Sequence, residues 1–166
     1  MTGMQGLEVD EKDLRILEAL EGNARLPWRR LAKMLGVSEA TIYLRIRRLE
    51  ELGILKGFTA RIDASRMGLS SLMFVLLKVD PSRMGEAREK LKELPFVAEA
   101  YEVAGDYQLL AKIAAPTHRE AAEALEMITR IEGVKDYTSI VVLQTLVSDV
   151  RVTSIYKYWA TRAGGQ

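Results

Sequence analysis

Residues 27–53 read PWRRLAKMLGVSEATIYLRIRRLEELG, and the grammar of this stretch decides the fold. Pro27 suits the first turn of a helix, where a missing N–H costs nothing. Leu31, Met34 and Leu35 put apolar side chains on one side of that helix. Gly36 stops it, Val37 follows, and Ser38 offers an oxygen to cap the next helix. There Ile42, Ile46 and Leu49 recur at i, i+4 and i+7, the stripe of a helix that packs on one side, until Gly53 ends it. So short a turn forces the two helices to cross steeply. This is helix-turn-helix patterning, and it leaves the second helix proud of the surface.

Toward the N-terminus, Asp10 opens an earlier helix whose apolar residues are Leu14, Ile16, Leu17 and Leu20, and Gly22–Asn23 closes it. Asp13, three residues after Asp10, makes the pair close to a capping box. After Gly53, Ile54 and Leu55 with residues 58–62 read as a short strand or wing. The chain carries 24 Lys+Arg against 23 Asp+Glu, but the balance is uneven. Between Arg25 and Arg48 lie seven basic residues and one acid, Glu39, so the remainder is net acidic. A basic stripe of this kind is the electrostatic footprint of a polyanion partner. A protruding basic helix fits the major groove of double-stranded DNA, about 12 Å wide.

Residues 64–70 are small, polar and Gly-containing, as a hinge would be. Residues 72–79 (LMFVLLKV) are an apolar run of strand length closed by Asp80–Pro81. A helix follows with Met84, Ala87, Leu91 and Leu94 along one side, up to Pro95. Residues 97–103 alternate with period two. Gly105–Asp106 reads as a two-residue hairpin turn, with residues 107–114 as the returning strand. A long helix carries Ala121, Ala124, Leu125, Ile128 and Ile131 to Gly133. Residues 134–147 are again β-rich, and residues 150–158 read as an extra strand or tail. The order is βαββαβ, so the fold class is α+β: an N-terminal winged helix-turn-helix and a C-terminal ferredoxin-like domain. The expected division is residues 1–63 for the first domain with its linking strand, and 64–166 for the second with its tail. Both faces of residues 72–79 are apolar, so the sheet needs cover beyond its own helices. A second copy of the chain is expected to supply it, the alternative being the tail with Tyr156, Tyr158 and Trp159.

Composition removes whole classes of function. At 166 residues, 48% apolar and 28% charged, the chain is neither disordered nor collagen-like. No run approaches the roughly 18 apolar residues of a membrane span. The N-terminus lacks the basic and apolar regions of a secretory leader. With no cysteine, disulfides, thiolate metal sites and cysteine nucleophiles are excluded. A single histidine, His118, leaves little for a His-built metal site or catalytic relay. The expectation is a cytoplasmic binding protein with no metal, no cofactor and no catalytic residues.

The chain resembles the Lrp/AsnC (feast/famine) family of transcriptional regulators. The resemblance runs from Val9 to about Leu143. It is carried first by residues 14–17 (LRIL), Leu31–Ala32, residues 36–38 (GVS), Thr41, Arg45, residues 47–50 (RRLE), Gly53–Ile54 and residues 57–60 (GFTA). The second part is Tyr101-x-Val103 with residues 104–107 (AGDY), Gly133–Val134 and Val142–Leu143. It implies a DNA-reading winged helix, a homodimer formed through the sheet and often assembled to an octamer, and a small effector, usually an amino acid, held between domains. DNA-contact candidates are Ser38, Thr41, Tyr43, Arg45, Arg47 and Arg48, with Arg29 and Arg30 over the DNA backbone. Arg45 and Arg48 rank first because they match the family's basic positions. Ser38 is a helix cap before it is a contact, and Arg47 has Glu50 and Glu51 as competing partners. The resemblance places the effector at Tyr101, Gly105, Asp106, Tyr107, Gln108, Tyr137 and Ser139.

Three departures from the family pattern stand out. Gln108 takes the place of a second acid, Tyr137-x-Ser139 replaces a Thr-x-Thr pair, and Tyr43–Leu44 occupies positions that are basic or polar in many relatives. Two other classes compete with an effector-modulated regulator. One is a DNA-architectural protein without effector. The other is an enzyme resembling sirohaem decarboxylases of the same fold, which would want His and Arg gathered in the second domain.

Overall fold

The computed structural model describes residues 9–148 and 152–163, and in 158–163 the backbone alone. Along the chain the elements are α1 (Glu11–Gly22), α2 (Trp28–Leu35), α3 (Glu39–Glu51), β1 (Ser71–Val79), α4 (Met84–Glu93), β2 (Val97–Glu102), β3 (Leu109–Ala115), α5 (His118–Thr129), β4 (Val134–Val141) and α6 (Val152–Ala163). The described residues make two compact units, one of α1, α2, α3 and α6 and the other of residues 61–146.

The core of the helical unit is built from the stripes read in the sequence. Ile16 and Leu20 of α1, Leu31 and Ala32 of α2, and Ile42, Ile46 and Leu49 of α3 are buried together. The capping box at the start of α1 is present: Asp13 N–H donates to Asp10 Oδ1 at 2.8 Å and Asp10 N–H to Asp13 Oδ2 at 3.2 Å. Gly36 ends α2 at φ +66°, a left-handed conformation that glycine adopts without steric cost. Only Gly36, Val37 and Ser38 separate α2 from α3.

Two expectations fail here. Residues 54–63 contain no strand, because a strand exists only where a second segment offers its backbone N–H and C=O groups. Among the described residues none does so, and Phe58 and Ile62 are exposed. The C-terminal segment, expected as a strand or tail of the second domain, is helix α6 within the helical unit. Its first turn leaves N–H groups without partners inside the helix. Glu21 of α1 supplies one, accepting from Thr153 N–H at 3.3 Å and from the Thr153 hydroxyl. Lys157 then donates to Glu18 at 2.7 Å. Tyr156 is half-buried; the side chains of Tyr158 and Trp159, considered as cover for the sheet, lie outside the described residues.

The second unit has the expected βαββαβ order in one antiparallel sheet, β2-β3-β1-β4. Alternate residues Met73, Val75, Leu77 and Val79 of β1 and Leu109, Ala111, Ile113 and Ala115 of β3 are buried against Ala87 and Leu91 of α4 and Ala121, Ala124 and Ile128 of α5. Both helices therefore cover one face. The register puts Leu72, Phe74 and Leu76 of β1, Leu110 and Ala114 of β3, and Ile140 of β4 on the other. This second face is the apolar surface anticipated from residues 72–79.

The β2–β3 connection is longer than the two-residue turn expected. Six residues, 103–108, lie between the strands, and Val103 N–H donates to the Gln108 carbonyl at 2.9 Å. A type I′ hairpin needs positive φ at both central residues. Gly105 has φ +131°, but among the described residues none other than glycine has a positive φ, so Asp106 does not.

Candidate nucleic-acid interface and effector loop

Ser38 caps α3, its hydroxyl accepting from Thr41 N–H at 3.1 Å and lying 2.8 Å from the Thr41 hydroxyl. The buried stripe of Ile42, Ile46 and Leu49 divides the rest of the helix into two flanks and an outer ridge. On the flank toward α1, Arg45 Nη1 donates to Asp13 Oδ1 and to Asp10 Oδ2, each at 2.7 Å. Arg48 Nη1 donates to Asp13 Oδ2 at 3.2 Å. Asp13 is fully buried, and the Arg45 side chain is only 24% exposed. The two arginines ranked first for DNA contact are thus engaged inside the chain. Their ion pairs also explain how a buried carboxylate is tolerated, since such a charge must be paired and hydrogen-bonded.

The charges sense one another. Contact with Asp13 and then Asp10 raises the pKa of Arg45 further. Desolvation pushes the Asp10 carboxyl up, but the Asp13 N–H and the Arg45 guanidinium outweigh it and hold Asp10 below its ordinary value. The α1 capping box is therefore also the anchor of α3.

The other flank carries Tyr43, whose ring lies 5.6 Å from that of Trp28, tilted 47°. Both rings are partly exposed. On the outer ridge, Arg47 stands 56% exposed, its guanidinium 3.8 Å from Glu50 and 4.0 Å from Glu51. Pairs that long and that exposed hold a side chain weakly. Arg29 and Arg30 are exposed on α2.

The sequence held a signal for the anchor that spacing toward a capping box concealed. Asp13, Ile16 and Leu20 fall at i, i+3 and i+7, so the acid sits on the buried stripe of α1. A carboxylate in that phase requires cationic partners.

In the sheet unit the candidate effector residues do not form one cluster. Tyr101 pairs with Leu110, and Thr138 with Leu76, on the face without helices. The Tyr107 hydroxyl lies 2.7 Å from that of Thr138, and the Tyr101 hydroxyl donates to Glu99 at 2.5 Å. Lys112, which also contacts Glu99 at 2.8 Å, leads the Tyr101 hydroxyl in holding this carboxyl below its ordinary range. Tyr137 and Ser139 pair with Leu77 and Val75, so they point to the opposite side of the sheet. Gln108 is committed to the loop itself. Its Oε1 accepts from Val79 N–H at 3.0 Å, and its Nε2 donates to the carbonyls of Gly105 and Asp106 at 3.2 and 3.3 Å. Asp106 is exposed at the loop tip. His118, given no role above, lies 3.0 Å from the Ser71 hydroxyl through Nδ1.

Comparison with known proteins covers both units. Residues 9–50 match the AsnC-type helix-turn-helix domain, and residues 72–152 the Lrp/AsnC ligand binding domain. The HTH-type transcriptional regulator FL11 of Pyrococcus furiosus is 36% identical over 85% of this chain and 93% of its own length. The structure of E. coli AsnC superposes with a TM-score of 0.83 at 29% identity, covering 87% of this chain and 98% of that one. The feast or famine regulatory protein of M. tuberculosis, solved in complex with L-methionine, gives 0.80 at 28% identity, covering 86% and 97%. With its two units matched in the same order by the two domains of one family, this chain belongs to the Lrp/AsnC family of transcriptional regulators.

Proposed function

We propose that the chain is a sequence-specific regulator of transcription that binds double-stranded DNA through α3 and is modulated by a small effector such as an amino acid. The observation that carries this reading is the anchored α3, whose outer ridge faces solvent in a helix-turn-helix matched by the family. Asp13, Arg45 and Arg48 orient the helix, and Ser38, Thr41, Tyr43, Arg47, Arg29 and Arg30 remain for the DNA. The chain acts by binding and not by catalysis, in the cytoplasm, as a homodimer or larger homo-oligomer. The apolar sheet face of Leu72, Phe74, Leu76 and Ile140 supports that assembly, as does the rarity of large exposed apolar patches on monomers.

The effector site is centred on the loop of Gly105, Asp106 and Tyr107. A turn exposes backbone amides to a carboxylate, and Asp106 can hold an ammonium group. The contact between Tyr107 and Thr138 supports Thr138, in place of Ser139, as the hydroxyl that serves the effector on this face. Gln108 shapes the loop from behind. L-Methionine in the M. tuberculosis relative supports an amino acid as the ligand class.

Selection of bound genomic fragments, followed by footprinting across a salt series, tests the DNA reading. Discrete, imperfectly palindromic footprints that weaken steeply with salt are expected of a two-fold regulator. Continuous coating without sequence preference would favour an architectural role instead. For the effector, a thermal-shift screen of the twenty amino acids on native protein and on Asp106→Ala should show stabilisation by one or a few that the variant loses.

A further inference from the structure

On the solvent side of α3, Ala40, Leu44, Arg47 and Glu51 follow one another at i, i+4, i+7 and i+11, and all are exposed. Leu44 is 65% exposed, more than any other large apolar side chain of this helix. A lone exposed leucine is ordinary on a protein surface, but this one occupies the middle of the ridge that the anchor turns outward. Its surroundings are mixed but cationic on balance: Arg47 and Glu51 share the ridge, Arg45 and Arg48 line the same hollow as Leu44 with Asp10 and Thr41, and Arg29, Arg30 and Lys33 are exposed on α2. A second copy of the same face would bring like charges together, whereas duplex DNA complements them. The small side chain of Ala40, one turn earlier, leaves room for a close approach to base edges.

An aliphatic side chain has one specific target in the major groove, the C5-methyl group of thymine. Placed against cytosine it would bury the N4 amino donor without an acceptor, which is costly. We propose that Leu44 packs on a thymine methyl and so imposes a thymine at one position of each operator half-site. The inference rests on α3 reading duplex DNA, as proposed above.

The test uses the full chain. Binding sites are selected from random duplexes with native protein, Leu44→Ala and Leu44→Gln. Thymine at the selected position is then replaced by deoxyuridine, which keeps the base pair and removes the methyl. Native protein should lose about fourfold in affinity on that replacement, the loss expected for one methyl group taken from apolar contact. Leu44→Ala should show neither the thymine enrichment nor the penalty, and Leu44→Gln should move the preference toward adenine. An unchanged thymine preference in Leu44→Ala overturns the inference. So does indifference of the native protein to deoxyuridine, or a Leu44→Ala variant altered only in oligomer size. Salt-sensitive binding without any thymine preference would overturn this inference alone, whereas no duplex binding at all would overturn the DNA reading as well.

Discussion

Among the described residues the sheet unit buries no charged side chain, only apolar ones from Met73 and Val75 to Ala121 and Ile128 and the hydroxyl of Ser71 beside His118, whereas the helical unit holds the carboxylate of Asp13 fully buried against two arginines. The contrast follows from what each kind of element leaves unspecified. Strand pairing fixes register residue by residue, and a slip by one would turn every core side chain to the wrong face. Helices packed by apolar stripes have no such ladder, and their stripes tolerate rotation and sliding. A forked cation on a buried carboxylate restores a discrete geometry. In this chain α3 is fixed to α1 across 32 residues of sequence by Arg45 and Asp13. The unit that must present a surface in one orientation spends a desolvated charge on it.

Removing the carboxylate should break the contrast most visibly. Asp13→Ala strips Arg45 and Arg48 of a shared partner, and loss of one side of a buried ion pair costs about 3–5 kcal/mol. Denaturation read by hydrogen exchange should place that loss in α1, α2 and α3, with β1 and β3 unchanged. A loss below about 1 kcal/mol would mean the pair is worth no more than a surface bridge. The converse variant is Leu77→Ala, expected to cost roughly 3 kcal/mol by opening a cavity under β1. Its effect should be confined to the sheet unit, leaving exchange in α3 at native rates. A uniform loss across both units would show that they unfold together.

The turn between α2 and α3 offers a smaller test. Gly36→Ala forces a side chain into the left-handed region at φ +66°, at a cost of roughly 1–2 kcal/mol. Nothing lies within 4 Å of the added Cβ, so a larger loss would point to a shifted α3 and not to local strain. The smallest effect is expected from acid. The folded-state pKa of Asp10 is held below its unfolded value, so its contribution is complete above about pH 4 and fades as pH falls further. Asp10→Asn should therefore flatten the loss of stability between about pH 4 and pH 2, while the native chain loses it more steeply. Equal slopes would remove Asp10 from the anchor.

Periodicity disclosed much of the molecule because it reports which side of an element is buried. The stripes of Ile16 and Leu20, of Ile42, Ile46 and Leu49, and the alternation along residues 72–79 all reappear as cores. It does not report partners distant in sequence. Arg45 and Arg48 look like surface cations from spacing alone, since the acid they meet lies on another helix. Residues 54–63 have strand composition but no neighbouring strand among the described residues, and no local pattern can show that absence. The loop at Gly105 was legible as a turn, whereas its length depended on the side chain of Gln108 reaching Val79 and two loop carbonyls. Residues 150–158 lack a clear period, and α6 is helical where Glu21 receives its first turn.

That last helix changes the connectivity of the whole. Because α6 returns to α1, the helical unit is assembled from both ends of the chain, and residues 61–146 are an insertion within it. The polypeptide crosses from one unit to the other twice. A protease that nicks residues 64–70, between α3 and β1, would therefore leave two fragments still joined through the pairing of Glu21 with Thr153 and of Glu18 with Lys157, and the DNA-reading helices would travel with the sheet until the second crossing was cut.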